Sequence, residues 1–301
     1  MSTALYPPIS TEERIQKEEE SLVRELEWLL QSLQETLASI RAGLEECVAL
    51  LEPTEPGSTL VLSSQRSETI KGFVTRVGSR IVKGDIHVKL PSLPPPRGAS
   101  SYRLLLSSSP DAPPFVLNQL STARNLINQS LDIVDVSTWT GDAKNANFIS
   151  GQLRLLFDYI QEAKLELKGL TTQGNWWDDP IDERVFDPPL PSNVAFHLSV
   201  SDAALELSLR TLDPAHAPPD TFSGFSLRDR LASAIGATRK PDHDEAEEEF
   251  QYRGKAVKVK EKVRVQSQDP SLLAIMAKLS ALEHNVAVSR KSLDIVMGNE
   301  D

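Results

Sequence analysis

Apolar residues recur at Leu22, Leu26, Leu29, Leu33, Leu37, Ile40, Leu44, Val48 and Leu51. Their mean spacing is about 3.6 residues, so the stripe stays on one face of a nearly straight α-helix, where a zipper would drift toward about 3.5. Ser10 followed by Glu13 is a capping-box signature that starts this helix near Thr11, and Pro53 with Pro56-Gly57 ends it. The period then falls to two around 70–74 and 86–90, which predicts strands, with Val77-Gly78-Ser79 and Lys83-Gly84-Asp85 as turns. Residues 101–106 are ambiguous. Helical spacing returns at Val116, Leu120, Ala123, Ile127 and Val134, predicting a helix over about 115–135. A second run, Leu153, Leu156, Ile160, Ala163, Leu167 and Leu170, predicts a helix over about 143–170, with Asp142 as its N-cap.

Val194, Phe196, Leu198 and Val200 alternate with Ala195, His197 and Ser199, and Leu205, Leu207 and Leu209 alternate with polar residues. Joined at Ser201-Asp202, they read as a hairpin with one buried and one wetter face. Residues 226–235 suit a short helix. Val257, Val259, Val263 and Val265 alternate with Lys258, Lys260, Lys262 and Arg264, an amphipathic strand with a cationic outer face. Asp269-Pro270 opens a last helix whose stripe runs from Leu272 to Val296. This order predicts an α+β fold: an elongated helical bundle of about four long helices, with the N- and C-terminal helices adjacent, plus a separate antiparallel β domain built from two inserts that meet in one sheet. The bundle takes 1–55, 112–172 and 268–301, and the β domain 56–111 and 173–267. Residues 238–249, rich in Asp and Glu, form an acidic flexible loop.

Composition narrows the function classes. The 301 residues carry 32 Lys and Arg against 43 Asp and Glu, a net charge of −11, which disfavours nucleic acid as a partner. The single cysteine, Cys47, excludes an internal disulfide and fits a reducing compartment; its place beside the helix stripe makes it a packing residue. No apolar window approaches the roughly 18–20 residues of a membrane span, and the first ten residues lack a signal-peptide layout, so the chain reads as soluble and cytosolic.

Candidate chemistry is sparse. Gly72, Gly78 and Gly84 lie among strands without a phosphate-loop Lys-Ser or Lys-Thr, and read as turn or bulge glycines. His87, His197, His216, His243 and His284 sit in no nucleophile or metal motif, and the acids around Asp242 lack the glycine and spacing of a calcium loop. No catalytic residue, metal ligand or cofactor site is assigned, and an interaction protein is the expectation. The candidate partner-binding residues are Trp176 and Trp177, which either pin their loop to the core or anchor a partner. Lys258, Lys260, Lys262 and Arg264 are the other candidates: they either meet acidic lipid or protein, or guard a strand edge.

The acidic helix start from Glu18 to Leu30, the strands Ile70 to Val74 and Asp85 to Pro91, the helix Leu117 to Asn125, Leu190-Pro191-Ser192-Asn193 entering the hairpin, and Phe250 to Val265 with the last helix stand in an order that resembles the Rogdi family. That family includes the second subunit of the fungal RAVE complex, the regulator of the ATPase of vacuoles and endosomes. The resemblance implies a non-enzymatic adaptor with a helical domain beside a β domain. Its implied partners are a large β-propeller RAVE subunit, a Skp-type adaptor and peripheral-sector subunits of the V-ATPase. It would be cytoplasmic and peripherally associated with vacuole and endosome membranes, its oligomeric state open. A helical trafficking or tethering protein, recruited to acidic membranes or a partner, is the competing expectation.

Overall fold

A computed structural model describes residues 10–64, 68–138, 144–170, 175–215 and 243–298. Among these it shows a mixture of helix and antiparallel sheet, with four α-helices and two sheets. The chain divides into two compact units, one of Met1–Leu50, Thr122–Leu165 and Ala274–Asp301, the other of Leu51–Ser121 and Glu166–Leu273. The Asp142 cap, the helix at 226–235, His216 and the first part of the acidic loop lie outside the described residues.

The first unit is helical. It holds α1 (Thr11–Leu50) and most of α2 (Asn118–Ser137), α3 (Ala146–Lys168) and α4 (Pro270–Val296). The capping box closes as the sequence predicts: Glu13 N donates to Ser10 Oγ at 3.2 Å and Ser10 N to Glu13 Oε2 at 3.3 Å. Gly43 lets α4 approach α1 closely, because a Cβ there would come within 2.8 Å of Leu282. Glu46 pairs with Lys278, and Arg41 with Asp135 of α2 at 3.1 Å. On the far side of α4, Lys164 pairs with Glu283 and Ser150 Oγ donates to Asp294 at 3.2 Å. Asn145 caps α3, accepting from Phe148 N at 3.1 Å.

The stripe of α1 is buried only along its second part. Leu33, Leu37, Ile40, Leu44 and Cys47 are sealed, whereas Ile15 and Leu22, on the same face, are 48% and 50% exposed. Burial pushes the Cys47 thiol up to about 11, with Lys278 opposing the shift and Glu46 adding to it, so it stays protonated at neutral pH. A thiol reagent is therefore expected to leave the folded protein unlabelled and to react once per chain in denaturant. Labelling in native buffer at the rate of a free thiol would contradict the packing.

The second unit is built on two sheets. The first runs β1 (Ser58–Ser63), β2 (Ile70–Val77), β3 (Arg80–Val88), β4 (Tyr102–Leu105), with β5 (Phe115–Val116) also beside β3. The second has the order β6 (Val194–Ser201), β7 (Ala204–Pro214), β9 (Lys255–Gln268), β8 (Glu249–Tyr252). The single sheet expected from the two inserts is thus two sheets: strands of each insert satisfy their ladders among themselves.

Several local expectations are corrected. Lys83-Gly84-Asp85 is not a turn; Gly84 lies inside β3 opposite Val74, and the reversal is the other expected turn, Val77-Gly78-Ser79, with Gly78 at φ +60°. β1 is absent from the sequence reading because its apolar run Leu60-Val61-Leu62 has no alternation, although Val61 ends up exposed. α2 starts at Asn118, since Phe115 and Val116 pair with Ile81 and Arg80. At the other end of the unit Asp269 caps α4 as expected, its Oδ1 accepting from Ser271 N at 2.9 Å.

Candidate interaction surfaces

The two tryptophans lie in a turn after Asn175, whose side chain donates to Asp178 at 2.9 Å. The turn does not present Trp176. That ring is 6% exposed, 5.0 Å from Phe250 and 5.7 Å from Tyr252, in a cluster with Ala195, Leu212, Val257 and Val259. Trp177 packs at a tilt of 41° against Phe250, 4.7 Å between ring centroids, and is only partly covered. Of the two roles open to this pair, pinning the loop to the core is the one Trp176 fills: a side chain already buried has no face left for a partner.

Arg210 of β7 lies over the Trp176 ring, its guanidinium carbon 4.8 Å from the ring centroid. Its Nε and Nη2 donate to both carboxylate oxygens of Glu245, at 2.6 and 2.7 Å. The wetter face of the β6–β7 hairpin is therefore covered at Ser208 and Arg210, which are buried, while His197, Ser199 and Glu206 toward the turn stay partly exposed. In the described part of the acidic loop, 243–249, Asp244, Glu247, Glu248 and Glu249 are exposed, while Glu245 is half-buried. The loop turns across the sheet because Glu245 has two cations to neutralise, Arg210 and Lys262.

The cationic row of β9 is matched charge for charge. Lys258 pairs with Glu249 at 3.1 Å, Lys260 with Asp213 at 3.2 Å, Lys262 with Asp244 and Glu245 at 2.7 and 2.8 Å, and Arg264 with Glu206. Most of these pairs are exposed and contribute little to stability. Each cation of the row thus has a carboxylate partner, while Lys258, Lys260 and Arg264 stay exposed. Alternation shows which face a lysine is on, and only the neighbouring strands show what meets it.

Burial alone raises the Glu245 carboxyl, but the hydrogen bonds from Arg210 and Lys262 outweigh it and hold the group below its ordinary value of 4.5. A carboxylate depressed in the fold stabilises it above the unfolded-state value and loses that contribution as pH falls through the folded one. Acid titration of stability is therefore expected to show a loss beginning near pH 4.5 that Glu245→Gln reduces. Identical acid limbs for both proteins would contradict it.

A cleft of about 400 Å³ opens among residues 113–119, 179–185 and β6, with Phe115, Phe196, Asp179 and His197 in its wall. Burial first, then Arg210, pushes the His197 imidazole below its ordinary value, so it is neutral at pH 7. Arg184 holds the Asp182 carboxyl at about 2. The lining includes no serine, cysteine or lysine; its ionisable side chains are Asp179, Asp182 and His197. His87 bonds Ser101 at 3.0 Å, and His243 and His284 lie elsewhere. Among the described residues no group of three or more His, Cys, Asp or Glu is placed to hold a metal, and no helix is long and apolar enough to cross a membrane.

Sequence reasoning missed two polar side chains that organise these surfaces, Gln119 and Arg76, and the ion pair that Asp269 makes besides its cap. Gln119 is buried and bonds the Val200 main chain twice, donating to its oxygen at 3.0 Å and accepting from its nitrogen at 2.5 Å. Arg76 and Asp269, 193 residues apart, meet at 2.6 Å with almost no exposure. The local pattern marks Asp269 as a helix start but not its pairing with Arg76, and gives no sign that Gln119 or Arg76 is buried.

The comparisons with known proteins follow the same extent of chain. Over 294 residues, 88% of this chain and 91% of the relative, it is 24% identical to the Schizosaccharomyces pombe protein named Regulator of V-ATPase in vacuolar membrane protein 2. The family model described as Rogdi leucine zipper containing protein matches residues 25–294, from within α1 almost to the end of α4, and the chain belongs to that family.

Proposed function

We propose that the chain is a non-enzymatic scaffold subunit of a RAVE-like complex that promotes assembly of the vacuolar proton-pumping ATPase from its peripheral and membrane sectors. The observation that carries this reading is the relative named as a V-ATPase regulator, which is matched across 88% of this chain, in both compact units. A scaffold holds separated parts near one another and so lowers the entropic cost of joining them, with no need to touch ATP. The partners would be a large β-propeller subunit, a Skp-type adaptor and peripheral pump subunits, met in the cytoplasm at vacuole and endosome membranes. The segments 1–55, 112–172 and 268–301 would act as the helical domain, with 56–111 and 173–267 as the β domain. Recruitment to acidic lipid through β9 is the weaker reading, since its cations already have carboxylate partners.

The test removes the chain from its own cells and measures the fraction of peripheral pump subunits on vacuolar membranes, together with luminal pH. A fall in membrane-bound peripheral sector and a rise in luminal pH, both restored by re-expression, are expected. Full assembly and normal acidity without the chain would sink the proposal.

A further inference from the structure

The apolar stripe of α1 outruns the helices that cover it. α4 runs antiparallel to α1, with Lys278 beside Glu46 and Leu282 beside Gly43. At the common rise of about 1.5 Å per residue, that register brings Val296, the last residue of α4, level with about residue 29 of α1. α3 is antiparallel to α4, with Lys164 beside Glu283 and Ser150 beside Asp294, so its own start lies at nearly the same level. Burial on α1 begins at that level: Leu30 and Leu33 are buried, while Leu26 and Leu29 are half-covered and Leu22 and Ile15 exposed. The stripe does not stop there. Residues 11–29, about 28 Å of helix, continue the same apolar face with no cover among the described residues.

The charges beside this open seam are of one sign. At about 100° per residue, the ionisable side chains within about 80° of the line through Ile15, Leu22, Leu26 and Leu29 are Glu12, Glu18, Glu19 and Glu25. Glu18 and Glu25 run along one edge, Glu12 and Glu19 along the other. Glu18 has a loose, exposed partner in Arg14 at 3.9 Å; the other three have no ion pair among the described residues. Two copies of this segment would set glutamates against glutamates along both edges, in either orientation. Acidic lipid would be repelled in the same way.

We infer that residues 11–29 of α1 form a docking seam for one amphipathic helix of a partner protein, with apolar residues at three- and four-residue spacing flanked on both sides by Lys or Arg. The occupant continues the helix packing already present along residues 30–51 and places cations against the two glutamate edges. This rests on the reading of the chain as an interaction subunit and names the chemistry of one partner surface.

The test uses the full chain, a seam variant (Leu22→Gln with Leu26→Gln) and a charge-reversed variant (Glu12→Lys, Glu18→Lys, Glu19→Lys, Glu25→Lys). All these positions are exposed or half-covered, and circular dichroism with Cys47 protection checks that both variants fold. The probes are synthetic amphipathic peptides of about 20 residues with one leucine face, flanked by lysine in one and glutamate in the other. The wild type is expected to bind the lysine peptide about tenfold or more tightly than the glutamate peptide, with the difference shrinking in salt. The seam variant should lose binding about tenfold or more, and the charge-reversed variant should invert the preference. Equal affinity for both peptides, or no effect of either variant, overturns the inference. So does a concentration-dependent dimer, or binding to phosphatidylserine vesicles, that the seam variant abolishes. In cells the charge-reversed variant should fail to restore pump assembly. If it restores assembly fully, the seam is wrong and the regulator reading stands. If deleting the chain leaves the pump assembled, the regulator reading falls, and the peptide result still judges the seam.

Discussion

Asp269→Ala is expected to destabilise the sheet-containing unit by about 3–5 kcal/mol in a urea titration. The Asp269 carboxylate is fully buried, bonded to Arg76 Nε at 2.6 Å, and holds the first turn of α4 through Ser271 N. Removing it leaves the guanidinium of Arg76 with only the Gly78 carbonyl, at 2.6 Å, and strips the helix of its cap. Two further variants separate these effects. Asp269→Asn keeps a capping oxygen but uncovers the Arg76 charge, so it should remain severely destabilised. The double variant Arg76→Met with Asp269→Ser removes both charges and keeps a cap, and should recover most of the loss, because a buried pair contributes little beyond a well-packed apolar substitute. Losses under about 1 kcal/mol in both single variants would show that the pair is open to water.

Trp176→Ala is expected to cost about 3–5 kcal/mol, the range for truncating a buried tryptophan, whereas Trp177→Ala should cost clearly less. Trp176 touches Phe250, Tyr252, Trp177 and the Arg210 guanidinium, so its removal opens a cavity and uncovers a cation together. Its Nε1 has no hydrogen-bond partner among the described residues, so Trp176→Phe loses ring volume but also an unpaired donor, and should fall well short of the alanine cost. Any partner affinity lost in Trp176→Ala should be regained in Trp176→Phe. If instead both variants are stable and both lose a partner by more than about 1 kcal/mol, Trp176 is a contact residue.

The helices were the most legible part of the fold. Ser10 with Glu13 and Asp269 with Pro270 mark helix starts through bonds made within four residues, and a 3.6-residue stripe survives any tertiary arrangement. The β6–β7 hairpin was legible for the same reason, its alternation and its turn being local. β1 is not legible because three apolar residues in a row have no period, and Gly84 reads as a turn because glycine opposite Val74 in a ladder looks the same in sequence as glycine in a turn. Trp176-Trp177 and the lysines of β9 were identified as unusual, but exposure and free charge are not properties of a residue type.

By itself, the sequence determined the helix faces, the starts of α1 and α4, the acidic charge balance and the membership that follows from an ordered series of blocks. Tertiary structure decided that the inserts close as two sheets, that Glu245 meets Arg210 and Lys262, that Arg76 finds Asp269, and that Trp176 is inside. It also decided where the stripe of α1 ceases to be covered. The reason is one of range: caps, turns and periodicity are set by neighbours along the chain, while burial and ion pairing are set by what the fold brings across from distant segments.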